Sequence, residues 1–77
     1  MKIDGCHRIS AERDPDCDCI EEEWSTPAGY MSFHLLPSGT AEVFFNNGDA
    51  GEWETVITGQ DEAEFRNNLS DYIRSLG

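Results

Sequence analysis

The chain has 77 residues, of which 38% are hydrophobic, so it can close one small core and is too short for a second domain. Only 5 Lys and Arg stand against 16 Asp and Glu, and the formal net charge of -11 disfavours binding to nucleic acid or an anionic membrane through a basic surface. Seven Gly, three Pro and eight aromatic residues favour a packed fold over a disordered chain.

The N-terminal residues 1–18 are mostly polar, and an Asp-Pro-Asp turn signal occupies residues 14–16. This pattern predicts an irregular arm, with Ile3 and Ile9 as its candidate anchors to the core. No apolar run is long enough for a membrane span or a signal peptide, and no lipidation pattern is present. We therefore expect a cytoplasmic protein.

The three cysteines, Cys6, Cys17 and Cys19, all lie in the first quarter of the chain. An odd number does not make a closed disulfide framework, so we expect reduced thiols or one bridge from Cys6 to Cys17 or Cys19. With His7 the thiols could also hold zinc, but structural zinc sites usually space paired cysteines two to four residues apart. A C-x-C pair in a strand also points its sulfurs to opposite faces of the sheet, where they cannot bind the same ion. We therefore expect no cofactor.

Residues 19–58 are predicted to form an antiparallel sheet. Three segments alternate apolar and polar side chains, namely residues 30–36, 40–46 and 52–58. The short segments 37–39 and 47–51 between them have the Pro, Gly, Asn and Asp content of hairpin turns. Residues 19–25 alternate less clearly, because three consecutive glutamates interrupt the pattern, and are expected to add a fourth strand.

After Gly59 the apolar period changes from two to about 3.6, which predicts an amphipathic helix over residues 61–76. The apolar stripe of this helix consists of Phe65, Leu69, Tyr72, Ile73 and Leu76. Asp61 is the predicted N-cap, with Glu64 as its capping-box partner.

The helix stripe and one face of the sheet are both apolar, so each must cover the other. The apolar sheet face consists of Met31, Phe33, Leu35, Ala41, Val43, Phe45, Trp53 and Ile57. The predicted fold is therefore α+β, a three- to four-stranded antiparallel meander with one C-terminal helix packed on one face, in a single domain over residues 1–77.

No enzyme is expected. The sequence offers no paired nucleophile and base, and so short a chain has little room for a catalytic pocket. His7 and His34 have no base or nucleophile arranged near them in the sequence, and the glycines are separated turn residues rather than a phosphate-binding loop.

The opposite face of the predicted sheet mixes carboxylates with aromatic and aliphatic groups. It carries Tyr30, His34, Leu36, Glu42, Phe44, Glu52, Glu54 and Val56. Same-face carboxylates two residues apart are about 6.6 Å apart along a strand, and neighbouring strands are about 4.8 Å apart, a scale similar to that of a nucleic-acid backbone. The candidate partner-binding residues are Glu42, Glu52, Glu54, Tyr30 and Phe44 on this face, with further acidic groups at Glu21, Glu22, Glu23 and Asp49 and at Asp14, Asp16 and Asp18.

A short acidic chain of a sheet and a helix, without an active site or a targeting signal, resembles the small phage-encoded anti-CRISPR proteins, particularly the inhibitors of type I effector complexes. The likeness is one of overall build, so no functional residue is carried over by position. It implies a monomeric DNA mimic, in the cytoplasm of a bacterial host cell, that occupies a basic DNA-binding surface of a Cas effector subunit, such as the site that reads the protospacer-adjacent motif.

Three other interpretations stay open at this point. An immunity or antitoxin protein that neutralises a basic nuclease would also be small and acidic. A zinc-stabilised structural module would use Cys6, His7, Cys17 and Cys19 and would need metal to fold. Finally, the charge can simply keep an acidic protein in solution.

Overall fold

The computed structural model describes residues 5–76. Five β-strands are followed by one helix: β1 (His7–Asp14), β2 (Cys19–Thr26), β3 (Gly29–Leu35), β4 (Ala41–Asn47), β5 (Gly51–Ile57) and α1 (Glu62–Leu76). The strands are antiparallel and lie in the order β1-β2-β3-β4-β5, so each pairs with its neighbour in sequence. The predicted α+β fold, an antiparallel meander with a C-terminal helix, is confirmed, with five strands instead of three or four.

The unexpected strand is β1, which pairs with β2 from His7 to Asp14, with a register shift at Ile9. The prediction of an irregular arm over residues 1–18 is therefore wrong for residues 7–14. Every residue of β1 is exposed, and Ile9, a predicted anchor, is 58% exposed. Because no face of β1 is buried, its sequence lacks the alternation that marks a half-buried strand. The other predicted anchor, Ile3, lies outside the described residues.

The core lies between one face of the sheet and α1. Its buried residues are Trp24, Met31, Phe33, Leu35, Ala41, Val43, Phe45 and Ile57 from the sheet and Phe65, Leu69 and Ile73 from the helix. Three predicted core residues are less enclosed: Trp53 on the edge strand β5 and Tyr72 are partly buried, and Leu76 at the helix end is 42% exposed.

Aromatic contacts join the helix to the sheet. The Phe33 and Phe65 rings meet edge to face with their centroids 5.1 Å apart. Trp53 stacks on Phe45 at 5.1 Å, and its indole N–H donates a 3.0 Å hydrogen bond to the Tyr72 hydroxyl. These contacts hold α1 over β3, β4 and β5.

The N-terminus of α1 has the predicted cap. The Asp61 carboxylate accepts a 2.8 Å hydrogen bond from the Glu64 amide, and the Glu64 carboxylate accepts one of 3.2 Å from the Gln60 amide. The reciprocal bond thus goes to the residue before the cap rather than to the cap itself.

Within residues 5–76, which the structure describes, α1 is the helix present, and it is too short and too polar to cross a membrane.

Candidate functional site: the acidic outer face of the sheet

The face of the sheet turned away from α1, called here the outer face, brings the main predicted site residues together. The register of β3, β4 and β5 aligns its side chains in three rows: Tyr30, Asn46 and Glu52; Ser32, Phe44 and Glu54; and His34, Glu42 and Val56. The alternation read from the sequence therefore placed these three glutamates and two aromatic residues on a common face.

Strands β1 and β2 extend all three rows, and they add carboxylates to two of them; Ser25 and His7 continue the row of Tyr30. Glu12 lies opposite Glu21, which lies opposite His34, and Glu23 lies opposite Ser32. Glu21 and Glu23 thus join the outer face as predicted, and Glu12 is added to it. Glu12 could not be assigned to this face from the sequence, because residues 1–18 lack the alternation of a half-buried strand.

The outer face contains a depression of about 450 Å³. Six of its lining residues are glutamates: the outer-face residues Glu12, Glu21, Glu23, Glu42 and Glu54, and Glu22, whose side chain is buried. Tyr30, His34 and Phe44 also line it. Tyr30 is 37% exposed and Phe44 is half-buried. Carboxylates and aromatic rings therefore share one concave surface.

The arginines of the described chain lie off the outer face, since Arg8 and Arg13 lie opposite Trp24 and Ile20, and the others lie on α1. Within residues 5–76, arginine ion pairs join Arg13 to Asp18, Arg66 to Glu22 and Glu62, and Arg74 to Asp71. The outer-face carboxylates have one ion-pair contact in that range, from His34 Nδ1 to Glu21 Oε1 at 3.1 Å. The outer face thus keeps its negative charge, although directly opposed carboxylates such as Glu12 and Glu21 repel each other.

Glu22 was predicted to bind a partner, but it faces α1. Its parity in β2 is that of Ile20 and Trp24, and it is only 3% exposed. Both carboxylate oxygens accept hydrogen bonds from the Arg66 guanidinium, and one also accepts a 2.8 Å bond from the Trp24 indole. Burial of a charged group without a partner would be costly, so Glu22 depends on this pair and contributes to the core rather than to the surface.

The pair also shifts the ionisation of both groups. Burial by itself raises the pKa of Glu22, but the hydrogen bonds from Arg66 and Trp24 and the charges of Arg66 and Arg8 outweigh it, so the pKa lies below its ordinary value. The hydrogen bond to Glu22 correspondingly raises the pKa of Arg66.

The remaining acidic candidates lie in turns at opposite ends of the sheet. Asp49 is exposed in the β4–β5 turn, where its amide donates a 3.0 Å bond to the Asn47 side chain. Asp14 ends β1, and the β1–β2 turn after it holds Asp16 and Asp18, of which Asp18 is paired with Arg13 at 2.9 Å. These aspartates lie at the margins of the sheet and not on its outer face.

The predicted zinc set is not assembled. Cys6 and His7 lie at the start of β1, whereas Cys17 and Cys19 lie beyond its other end, and eight residues of strand span roughly 25 Å. A disulfide joins Cys17 to Cys19, so the predicted bridge from Cys6 is also wrong. Burial raises the pKa of the Cys6 thiol.

The C-x-C pair closes because it lies at the junction of a turn and a strand. Asp18, between the two cysteines, has a left-handed φ of 54°, which removes the alternation that would separate the sulfurs in a regular strand. The two sulfurs and a ring nitrogen of His34 lie within 4.8 Å of one another. Cys17, Cys19 and His34 are therefore the described residues that are best placed to hold a metal.

Comparison of the chain with protein-family models, with curated proteins and with solved structures gives no match. The functional assignment therefore depends on the geometry and the charge of the outer face.

Proposed function

We propose that the protein is an anti-CRISPR-type inhibitor that acts as an acidic DNA mimic. Its outer face binds a basic DNA-binding surface of a type I CRISPR–Cas effector complex and blocks the binding of target DNA. The surface that reads the protospacer-adjacent motif is the candidate target, and the cytoplasm of a bacterial host cell is the corresponding compartment. One observation carries the proposal. Six outer-face glutamates from four strands have no arginine partner in the described part of the chain.

The spacing of these carboxylates suits a protein surface that binds phosphates. Glu52 and Glu54 on one strand are about 6.6 Å apart, and the row from Glu12 through Glu21 to Glu42 spans four strands, or about 14 Å. Along one strand of DNA, two phosphate steps advance about 6.8 Å. Flexible Lys and Arg side chains that bind alternate phosphates can therefore reach these carboxylates.

The aromatic residues of the outer face supply contacts that DNA phosphates lack. Phe44 lies in the same row as Glu23 and Glu54, and Tyr30 lies in the next row. A guanidinium group that pairs with a glutamate can stack on a neighbouring ring. In such an interface the charges accelerate association, and the buried rings slow dissociation.

The test is a competition assay in which a purified type I effector complex binds labelled target DNA in the presence of the protein. The triple variant Glu42→Lys, Glu52→Lys, Glu54→Lys changes the net charge by +6, from -11 to -5, at exposed positions of the outer face. A control triple, Asp16→Lys, Asp49→Lys, Asp71→Lys, makes the same change at exposed positions off that face.

The wild-type protein and the control triple are expected to displace target DNA, less strongly as salt rises, whereas the outer-face triple is expected to lose this activity. Unchanged DNA binding at saturating protein, for every type I subtype tried, rejects the proposal. Equal losses in both triples would show that net charge matters and the outer face does not.

A further variant maps the binding area within the outer face. Glu21→Lys with Glu23→Lys changes only the β2 side. Loss of inhibition in this variant alone would show that the partner contacts β2 rather than β4 and β5.

Neutralisation of a nuclease encoded beside the gene, with no effect on effector complexes, would instead assign an immunity protein with the same acidic face.

A further inference from the structure

The group of Cys17, Cys19 and His34 lies where the β1–β2 turn approaches the end of β3. The two Sγ atoms and a His34 ring nitrogen lie within 4.8 Å of one another. Cys19 is 2% exposed, whereas Cys17 and His34 are exposed, so the group is accessible from one side and supported by the fold on the other. The residues come from two separate parts of the chain.

Glu21 lies beside the histidine of this group, where its carboxylate can position the ring. Its Oε1 atom lies 3.1 Å from His34 Nδ1, directly across the β2–β3 ladder. A carboxylate bound to one ring nitrogen of a histidine is the usual outer-shell partner of a metal-binding imidazole, because it selects the tautomer and leaves the other nitrogen as the ligand. The site thus holds three candidate ligands and a positioning carboxylate.

The ligand atoms lie within 4.8 Å of one another, so small side-chain rotations suffice to bring them to the spacing of a tetrahedral site. Zn–S and Zn–N bonds of about 2.3 Å and 2.0 Å place tetrahedral ligands about 3.5–3.8 Å apart. The Cα atoms of Cys17 and Cys19 are 5.2 Å apart, and Asp18 holds the tight turn between them. The sulfurs therefore stay close together when the disulfide is opened.

We propose that the reduced Cys17 and Cys19 thiols, together with His34, bind a thiophilic d¹⁰ cation such as Zn²⁺, and that formation of the Cys17–Cys19 disulfide abolishes this binding. A dithiol breaks the S–S bond by thiol–disulfide exchange, becomes a disulfide itself and gives its two protons to the new thiols. A phosphine becomes the phosphine oxide, and water supplies the oxygen atom and the two protons. Binding of the ion then releases these two protons, forms two metal–sulfur bonds and one metal–nitrogen bond, and leaves the fourth position to water.

The experiment titrates Zn²⁺ into phosphine-reduced protein, after removal of the reductant, in competition with a chromophoric chelator. Co²⁺ serves as a spectroscopic probe, because thiolate ligation gives a sulfur-to-metal charge-transfer band that carboxylate binding does not. Cys17→Ser and His34→Gln change exposed positions, and circular dichroism checks that each variant folds. Cys6→Ser and His7→Gln are matched controls, because these residues lie at the far end of β1.

Reduced wild-type protein is expected to bind one ion with the charge-transfer band, and the oxidised protein is expected not to bind. Cys17→Ser and His34→Gln should weaken binding by more than about 100-fold, and Glu21→Gln by about 10- to 100-fold. The controls should bind like wild type. No stoichiometric binding by reduced protein, equal binding by oxidised protein, binding that survives His34→Gln, or loss in Cys6→Ser would each overturn the proposal.

Discussion

The Arg66 guanidinium on α1 donates to both carboxylate oxygens of Glu22 on β2, joining residues 44 positions apart in the sequence. The same guanidinium lies 5.9 Å from the centre of the Phe33 ring, and Trp24 also donates to Glu22. This charged pair joins α1 to β2 at the margin of the apolar core.

We predict that the two members of this pair are strongly coupled. Glu22→Leu or Arg66→Met alone should lower the free energy of unfolding by about 2–4 kcal/mol, because Arg66→Met leaves the buried Glu22 carboxylate without an ion pair and Glu22→Leu leaves Arg66 only the exposed Glu62 as a partner. The double variant should lose less than the sum of the two single losses, because no unpaired charge is left. Urea denaturation of the four proteins checks this prediction, and additive losses would contradict it.

The lowered pKa of Glu22 predicts a specific pH dependence of stability. The unfolded chain binds the proton more readily, so this contribution is complete above the ordinary value of 4.5 and is lost as pH falls through the lower folded pKa. The stability advantage of wild type over Glu22→Gln should thus be largest near neutral pH and shrink in acid. Thermal melts of both proteins over a pH series measure it. The difference in stability between the two proteins isolates the contribution of Glu22, because both proteins carry all the other carboxylates. A stability advantage of wild type that grows in acid would contradict the lowered pKa of Glu22.

Gly39 is predicted to be intolerant of a side chain. Its φ is +88°, and a Cβ there would lie 2.4 Å from the Gly59 carbonyl oxygen, where the β3–β4 turn packs against the loop before α1. Gly39→Ala should therefore cost about 1–3 kcal/mol. Gly48→Ala is the control, with nothing within 4 Å of its Cβ, and should change stability by less than about 0.5 kcal/mol. Equal effects in denaturation experiments would show that the close approach of Gly39 and Gly59 is unimportant.

If the outer face binds a basic partner, its rings should control residence time. Phe44→Ser and Tyr30→Ser are expected to raise the dissociation rate about 10-fold, equivalent to about 1.4 kcal/mol, with little change in the association rate. Surface plasmon resonance against the immobilised effector complex separates the two rates. Leu76→Ser, at the exposed end of α1, is the control. A fall in the association rate alone would show that the rings do not contact the partner.

The outer face could be read from the sequence because a strand has a period of two. Once Val43 and Phe45 are assigned to the core, Glu42 and Phe44 must point the other way, and the same parity assigns Glu52 and Glu54. No knowledge of distant contacts is needed for this step. The helix stripe follows in the same way from its period of about 3.6.

The predictions were wrong where a segment does not alternate between buried apolar and exposed polar side chains. Strand β1 buries no side chain and is held by its ladder to β2, so nothing in its own composition distinguishes it from an irregular segment. Glu22 has the parity of a core residue, but its charge favoured a place on the surface. Its burial depends on Arg66, far along the chain.

By itself, the sequence determined the α+β fold, the antiparallel meander, the capped helix and the acidic outer face, because each follows from a local period or a turn residue. Only the tertiary structure decided the pairing of Glu22 with Arg66, the addition of Glu12 to the outer face and the approach of His34 to Cys17 and Cys19. These three relationships depend on strand register and on helix packing, which bring distant residues together and which no short stretch of sequence specifies.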